Sequence, residues 1–168
     1  MNRDRPELAD AVFRQISDMG QSLEKAIVVV EAGSQRPDGC SRHQTHWFRD
    51  SPYRGRYHAF HRGLGLLHAE HGTGFDHYWF LCNDIVFPGG QDVLQILVDA
   101  MESDPHMGLI GPSESNQDWY PGASAEPGRR WHKAATVHGL AQLIRGEVIR
   151  DIGYMNPAFH YSQGAGTE

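Results

Sequence analysis

The sequence predicts an α/β fold built on a mainly parallel sheet flanked by helices. Ala26–Val30 is an unbroken run of apolar, mostly β-branched residues without alternation, the pattern of a strand buried on both faces. Asp76–Asn83 holds a second run, Tyr78-Trp79-Phe80-Leu81-Cys82, that ends in Asn83-Asp84. Segments with helical spacing lie between and around these runs, so strands and helices alternate in the order αβ(β)αβαββα, which favours parallel pairing.

Each element has its own signal. Pro6 suits a first helical position, and Leu8, Val12, Ile16 and Met19 follow with helical spacing, predicting a helix over 6–19 with Gly20 as its stop. The run 26–30 then leads into the polar turn Glu31-Ala32-Gly33-Ser34. A short strand is expected around Thr45–Arg49, in a polar stretch bounded by the turn signals Pro37-Asp38-Gly39 and Ser51-Pro52. Residues 55–71 form a second helix, weakened by Gly63 and Gly65. After the second strand, Gly89-Gly90-Gln91-Asp92 opens an amphipathic helix with Val93, Ile96, Leu97 and Ala100 on one face and Asp104-Pro105 as its stop. Met107–Pro112 is a third short strand, 113–130 a loop, Leu140–Ile144 a further strand, and Glu147–Ile152 a short helix closed by Gly153.

Composition bounds the function. The 168 residues are 39% hydrophobic and 21% charged, enough apolar material for the core of a single domain, 1–168, and too much for a disordered tail. The net charge of −6 argues against a nucleic-acid partner, which needs a basic surface. A mean hydropathy of −0.53 and the lack of an apolar run near 18 residues argue against a membrane span. No apolar stretch follows the first residues, so a cytoplasmic location is expected, with Cys40 and Cys82 as reduced thiols.

In parallel sheets ligands gather beyond the carboxyl ends of the strands. Glu31 and Asp84 stand at two such ends and are expected to open into one cleft. A carboxylate after a buried aromatic strand must be solvated, hydrogen-bonded or metal-bound. Asp84 can hold a hard cation, Mg²⁺ or Mn²⁺, whose remaining ligands are water and phosphate oxygens. Glu31 can accept hydrogen bonds from ribose or a base edge, and Gly33 and Ser34 allow close backbone approach to a ligand. The plainer alternative for both acids is an ordinary polar turn. Eleven histidines invite a metal reading, but His58, His61, His68 and His71 do not share one helical face and no HExxH pattern occurs. Scattered, individually satisfied histidines are the plainer reading. Trp119 and Trp131, in loop-like sequence, are stacking platforms for a sugar or half-buried anchors.

From Ala26 to Tyr161 the chain resembles inverting family 2 glycosyltransferases of the GT-A (Rossmann-like) fold. The similar landmarks are Ile27–Ser34, the segment from Gly55 through Gly63 to Leu64, Tyr78–Val86 with the position of the DxD-type metal motif, Val93–Pro112, and Gly139–Asn156. The resemblance implies binding of a nucleotide diphosphate sugar and transfer of the sugar, with inversion, to the hydroxyl of a saccharide, lipid-linked glycan or protein acceptor. It implies that Glu31, Gly33, Ser34, His61 and Asn83 contact the donor, and that Asp84 holds Mg²⁺ or Mn²⁺ at the diphosphate. The metal would act as a Lewis acid on the leaving group, and a carboxylate base would deprotonate the acceptor.

The chain also departs from the family's pattern. Cys82 occupies the first acid position of the DxD-type motif, His61 the helix-start Asn position, and Gly164-Ala165 the region of the acid pair, leaving Glu168 as the candidate base. A first strand before the helix at 6–19 and acceptor-binding helices after Glu168 are expected in the family, so the resemblance implies a domain incomplete at both ends. The isolated chain is expected to be inactive in transfer and, with a strand edge exposed, to self-associate. Two alternatives stand beside this reading: a non-catalytic nucleotide-sugar-binding or scaffold domain, and a histidine-rich metal-binding protein.

Overall fold

The computed structural model describes residues 1, 4–33, 42–43, 46–48, 55–87, 89–111, 137 and 139–153. The fold is mixed α/β. Its elements are α1 (Pro6–Asp18), β1 (Val30–Ala32), β2 (His46–Phe48), α2 (Arg56–His71), β3 (His77–Leu81), α3 (Val93–Glu102), β4 (Leu109–Ile110), β5 (Ala141–Arg145) and α4 (Gly146–Ile152). The four helices fall where hydrophobic spacing and stop signals place them.

The strands form two sheets. β1 and β2 pair in parallel, with Glu31 opposite Trp47. The second sheet has the order β3-β5-β4, and both pairings are antiparallel. Parallel pairing is therefore confined, among the described residues, to β1 and β2. The long segment between β4 and β5 carries no helical spacing to impose a parallel crossover, and β5 lies between β3 and β4 in the opposite direction.

The period of two in β3 sorts its side chains onto two faces. Tyr78, Phe80 and Cys82 pack with Ile144, with Phe60 and Leu64 of α2, and with Ile149 of α4. Leu81 and Ala141 meet Val12 of α1 and Met19. Leu143 meets Leu97, Val98 and Met101 of α3, with Trp79 against the edge of that cluster. The three-stranded sheet thus carries helices on both faces. Asp92 caps α3 by accepting from the Gln95 amide at 3.0 Å and ties it to the end of α1 by accepting from the Gly20 amide at 2.7 Å.

The apolar run at 26–30 corrects the sequence-based expectation. Strand structure begins only at Val30 and takes in Glu31 and Ala32, while 24–29 carries no ladder. β-branched residues favour a strand only where a partner edge meets them. Here the run lines a cavity instead. Gly63, read from sequence as a weak point of α2, has a packing role. A Cβ there would stand 2.8 Å from Val30 Cγ2, so its absence lets α2 approach β1.

Candidate functional site

The candidate site lies where β1 and β3 end. Its centre is the Met1 ammonium, which donates to the Leu81 carbonyl at 2.9 Å. Burial lowers the pKa of this amine below its ordinary value, while Cys82, Glu31 and Asp84 act in the opposite direction by charge. The two acids singled out in the sequence thus act on a single cation. They differ in setting. Glu31 is fully buried, because it lies within β1 rather than after it. Asp84 is exposed, beyond the end of β3.

Cys82 follows β3 directly, and its amide donates to the Leu140 carbonyl at 2.8 Å. Its thiol is pushed up to about 11, chiefly by burial and further by the Asp84 charge, against the ammonium and Arg56. At the first acid position of the implied metal motif there is therefore a neutral thiol, a poor ligand for a hard cation. Because the folded state holds this proton more tightly than the ordinary value of 9.0, its contribution to stability is complete below about pH 9 and is lost as pH rises through about 11. At pH 8 the thiolate fraction falls about 100-fold relative to an unperturbed thiol. Iodoacetamide should accordingly modify Cys82 at least about 100-fold more slowly in the folded chain than in denaturant, scored by mass spectrometry of the Cys82 peptide. A folded-state rate within about tenfold of the denatured rate would show that the thiol is not held in this way.

Around this centre, Gly33 follows β1 with φ of +80°, a left-handed conformation that glycine adopts without strain. Asn83 donates through Nδ2 to the Arg5 carbonyl at 3.4 Å, which ties it to the start of α1. His61 lies in the second turn of α2, and its buried Nδ1 has no hydrogen-bond partner among the described residues. Ser34 and Glu168 lie outside the described residues, as do Cys40, Trp119 and Trp131.

Arg56 escaped the sequence reading. It is the first residue of α2, preceded by Gly55 at φ of +93°, and its guanidinium acts on the Cys82 thiol, opposing the rise in its pKa. The guanidinium also lies over the Tyr57 ring, 5.1 Å from its centroid. A guanidinium at a helix N-terminus suits an anionic ligand. A lone Arg after a Gly carries no signal of this in the sequence.

The histidines divide among separate tasks. His68 Nε2 meets the Tyr78 hydroxyl at 2.9 Å, His77 pairs with Glu102 at 2.9 Å, and His58 is buried. Among the described residues no three His, Cys, Asp or Glu side chains converge as a metal-binding group. No helix among them is long and apolar enough to cross a membrane. Comparison of the chain with protein-family models, with curated proteins and with solved structures gave no match.

Proposed function

We propose that this chain is a glycosyltransferase-like domain of the GT-A type. It binds a nucleotide diphosphate sugar at the ends of β1 and β3 and, in a complete form, transfers the sugar to an acceptor hydroxyl with inversion. One observation carries the reading: Glu31 and Asp84 act on a common cation beside the Leu81 carbonyl. A cation accompanying a diphosphate would be held by Asp84, the exposed acid of the two, beside the Met1 ammonium rather than in its place. Arg56, on the N-terminus of α2, supplies a further positive group for phosphate oxygens.

The donor set fits Mg²⁺ or Mn²⁺ in a limited way. Asp84 provides one exposed carboxylate, and a hard cation takes its remaining ligands from water and the diphosphate. Such a cation would be held jointly with the donor rather than in a protein cage. Bound there, it would supply Lewis-acid stabilisation of the leaving diphosphate. The neutral Cys82 thiol favours a second reading, a domain that binds the donor without turning it over. Donor binding without sugar transfer or donor hydrolysis would favour the second reading over the first.

Calorimetry tests the shared part of both readings. A uridine diphosphate sugar should bind weakly, and at least about tenfold more tightly with Mn²⁺ than with chelator, a difference of about 1.4 kcal/mol. Asp84→Asn should abolish that metal dependence, because it removes the charge the cation needs. Equal affinity with and without metal in the unaltered chain would refute the proposal.

A further inference from the structure

Gly139 stands just ahead of β5 and is buried. A Cβ there would meet the Tyr57 hydroxyl at 2.5 Å, Arg56 Nη2 at 3.1 Å and Arg56 Cζ at 3.2 Å. Its φ lies outside the left-handed region, so alanine can adopt the same backbone. Glycine therefore supplies space here, not conformational freedom. The next residue, Leu140, accepts from the Cys82 amide at 2.8 Å, which fixes this main chain at the end of β3. The start of α2, the end of β3 and the entry to β5 meet at this one point.

Arg56 is confined from two further sides. Its guanidinium lies over the Tyr57 ring and acts on the Cys82 thiol. Its Nε is buried and has no acceptor among the described residues, and none of the ion pairs among those residues engages it. The first turn of α2 carries no acid to draw it away. A long side chain held in this way has lost its rotamer freedom before any ligand arrives. Its planar fork then binds an oxyanion at little further entropic cost. The atoms that a Cβ at Gly139 would displace are the tips of two side chains, not main chain. Rotation of Tyr57 and Arg56 would absorb an added methyl group, so its cost falls on their placement and not on the fold.

We propose that Gly139 is a positioning residue for phosphate recognition. The bare main chain that it presents to Arg56 and Tyr57 holds the guanidinium at the mouth formed by α2, β3 and β5, where it meets phosphate oxygens of the donor. The inference rests on the reading that this mouth takes a diphosphate. It divides the work there: Arg56, with Gly139 and Tyr57 as its support, grips the diphosphate directly, and Asp84 acts only through a cation.

The probe is inorganic pyrophosphate, titrated calorimetrically into the full chain with chelator present, so that no cation at Asp84 contributes. Saturable binding is expected. Gly139→Ala should weaken it at least about tenfold, as loss of a charge-assisted contact does, while Tm stays within about 4 °C of the unaltered chain. Arg56→Met should weaken it by at least as much. Tyr57→Phe removes the hydroxyl that the new methyl group meets first and keeps the ring under Arg56. The chain carrying both Gly139→Ala and Tyr57→Phe should therefore regain most of the lost affinity. Three results overturn the proposal: no pyrophosphate binding by the unaltered chain, unchanged affinity in Gly139→Ala, or a loss that Tyr57→Phe does not reverse. A loss that comes with a larger fall in Tm also overturns it, since Gly139 would then serve the fold. The expected pyrophosphate pattern without metal-dependent binding of a uridine diphosphate sugar supports the positioning role and refutes the donor reading alone.

Discussion

Leu143→Ala should lower the unfolding free energy by about 2–5 kcal/mol. Leu143 is 1% exposed and lies on the central strand of the three-stranded sheet. It packs against Leu97, Val98 and Met101, the last fully buried on α3. Truncation removes the favourable burial of the lost methyl groups and leaves a cavity. The walls cannot close easily, because β5 is held by ladders on both edges. For a chain of this size each kcal/mol shifts Tm by about 2–4 °C, so a fall of roughly 10 °C is expected by calorimetry. Ile96→Ala is the matched control on α3. Ile96 is 45% exposed, so truncation there should cost well under about 1 kcal/mol. Equal losses at the two positions would mean that Leu143 does not sit in a packed core.

Helical spacing puts Ile96 on one apolar face with Val93, Leu97 and Ala100, whereas the structure buries Leu97, Val98 and Met101 and leaves Ile96 45% exposed. Leu97 and Val98 face the sheet, and α3 begins and ends where Asp92 and Asp104-Pro105 place it. Sheet direction was less legible. Alternation of strands and helices favours parallel order, but β5 follows a long non-periodic segment and lies antiparallel between β3 and β4. No local property of Leu140–Ile144 encodes that choice. The run at 26–30 shows the opposite limit. Its residues have strong β character, yet ladder structure starts only at Val30, and the rest of the run lines a cavity.

The candidate site divides in the same way. Asp84 was legible because an acid directly after a buried aromatic run has little choice but to sit at the strand mouth, and it is exposed there. Glu31 carries the same signature. However, the strand starts late and includes it, so it is buried and acts on the Met1 ammonium from within the fold. The part played by Cys82 depends on burial and on Arg56 arriving from α2. Neither can be read from spacing along one strand.

Gly146→Ala should destabilise the fold by about 2 kcal/mol, whereas Gly65→Ala should stabilise it by about 0.5–1 kcal/mol. Both glycines lie in helices, and alanine is the better helix former by up to about 1 kcal/mol. Propensity alone therefore gives the two substitutions the same sign. Space decides otherwise. A Cβ at Gly65 would meet nothing within 4 Å, so the helical gain is kept. A Cβ at Gly146 would overlap the Phe75 carbonyl oxygen and approach the Asp76 carbonyl oxygen to 3.0 Å. Those carbonyls have little room to yield. The Gly146 amide donates to Asp76 O at 2.6 Å, and Arg150 Nη1 donates to Phe75 O at 3.3 Å. Relief would require moving the β5–α4 junction away from the start of β3, at the His77–Arg145 end of their ladder. Overpacking that forces such a backbone shift costs about 1–3 kcal/mol or more, and the small helical gain at a first helical position does not offset it. Urea unfolding at constant m-value measures both changes on one scale. A neutral Gly146→Ala would show that α4 does not dock this closely on the turn before β3.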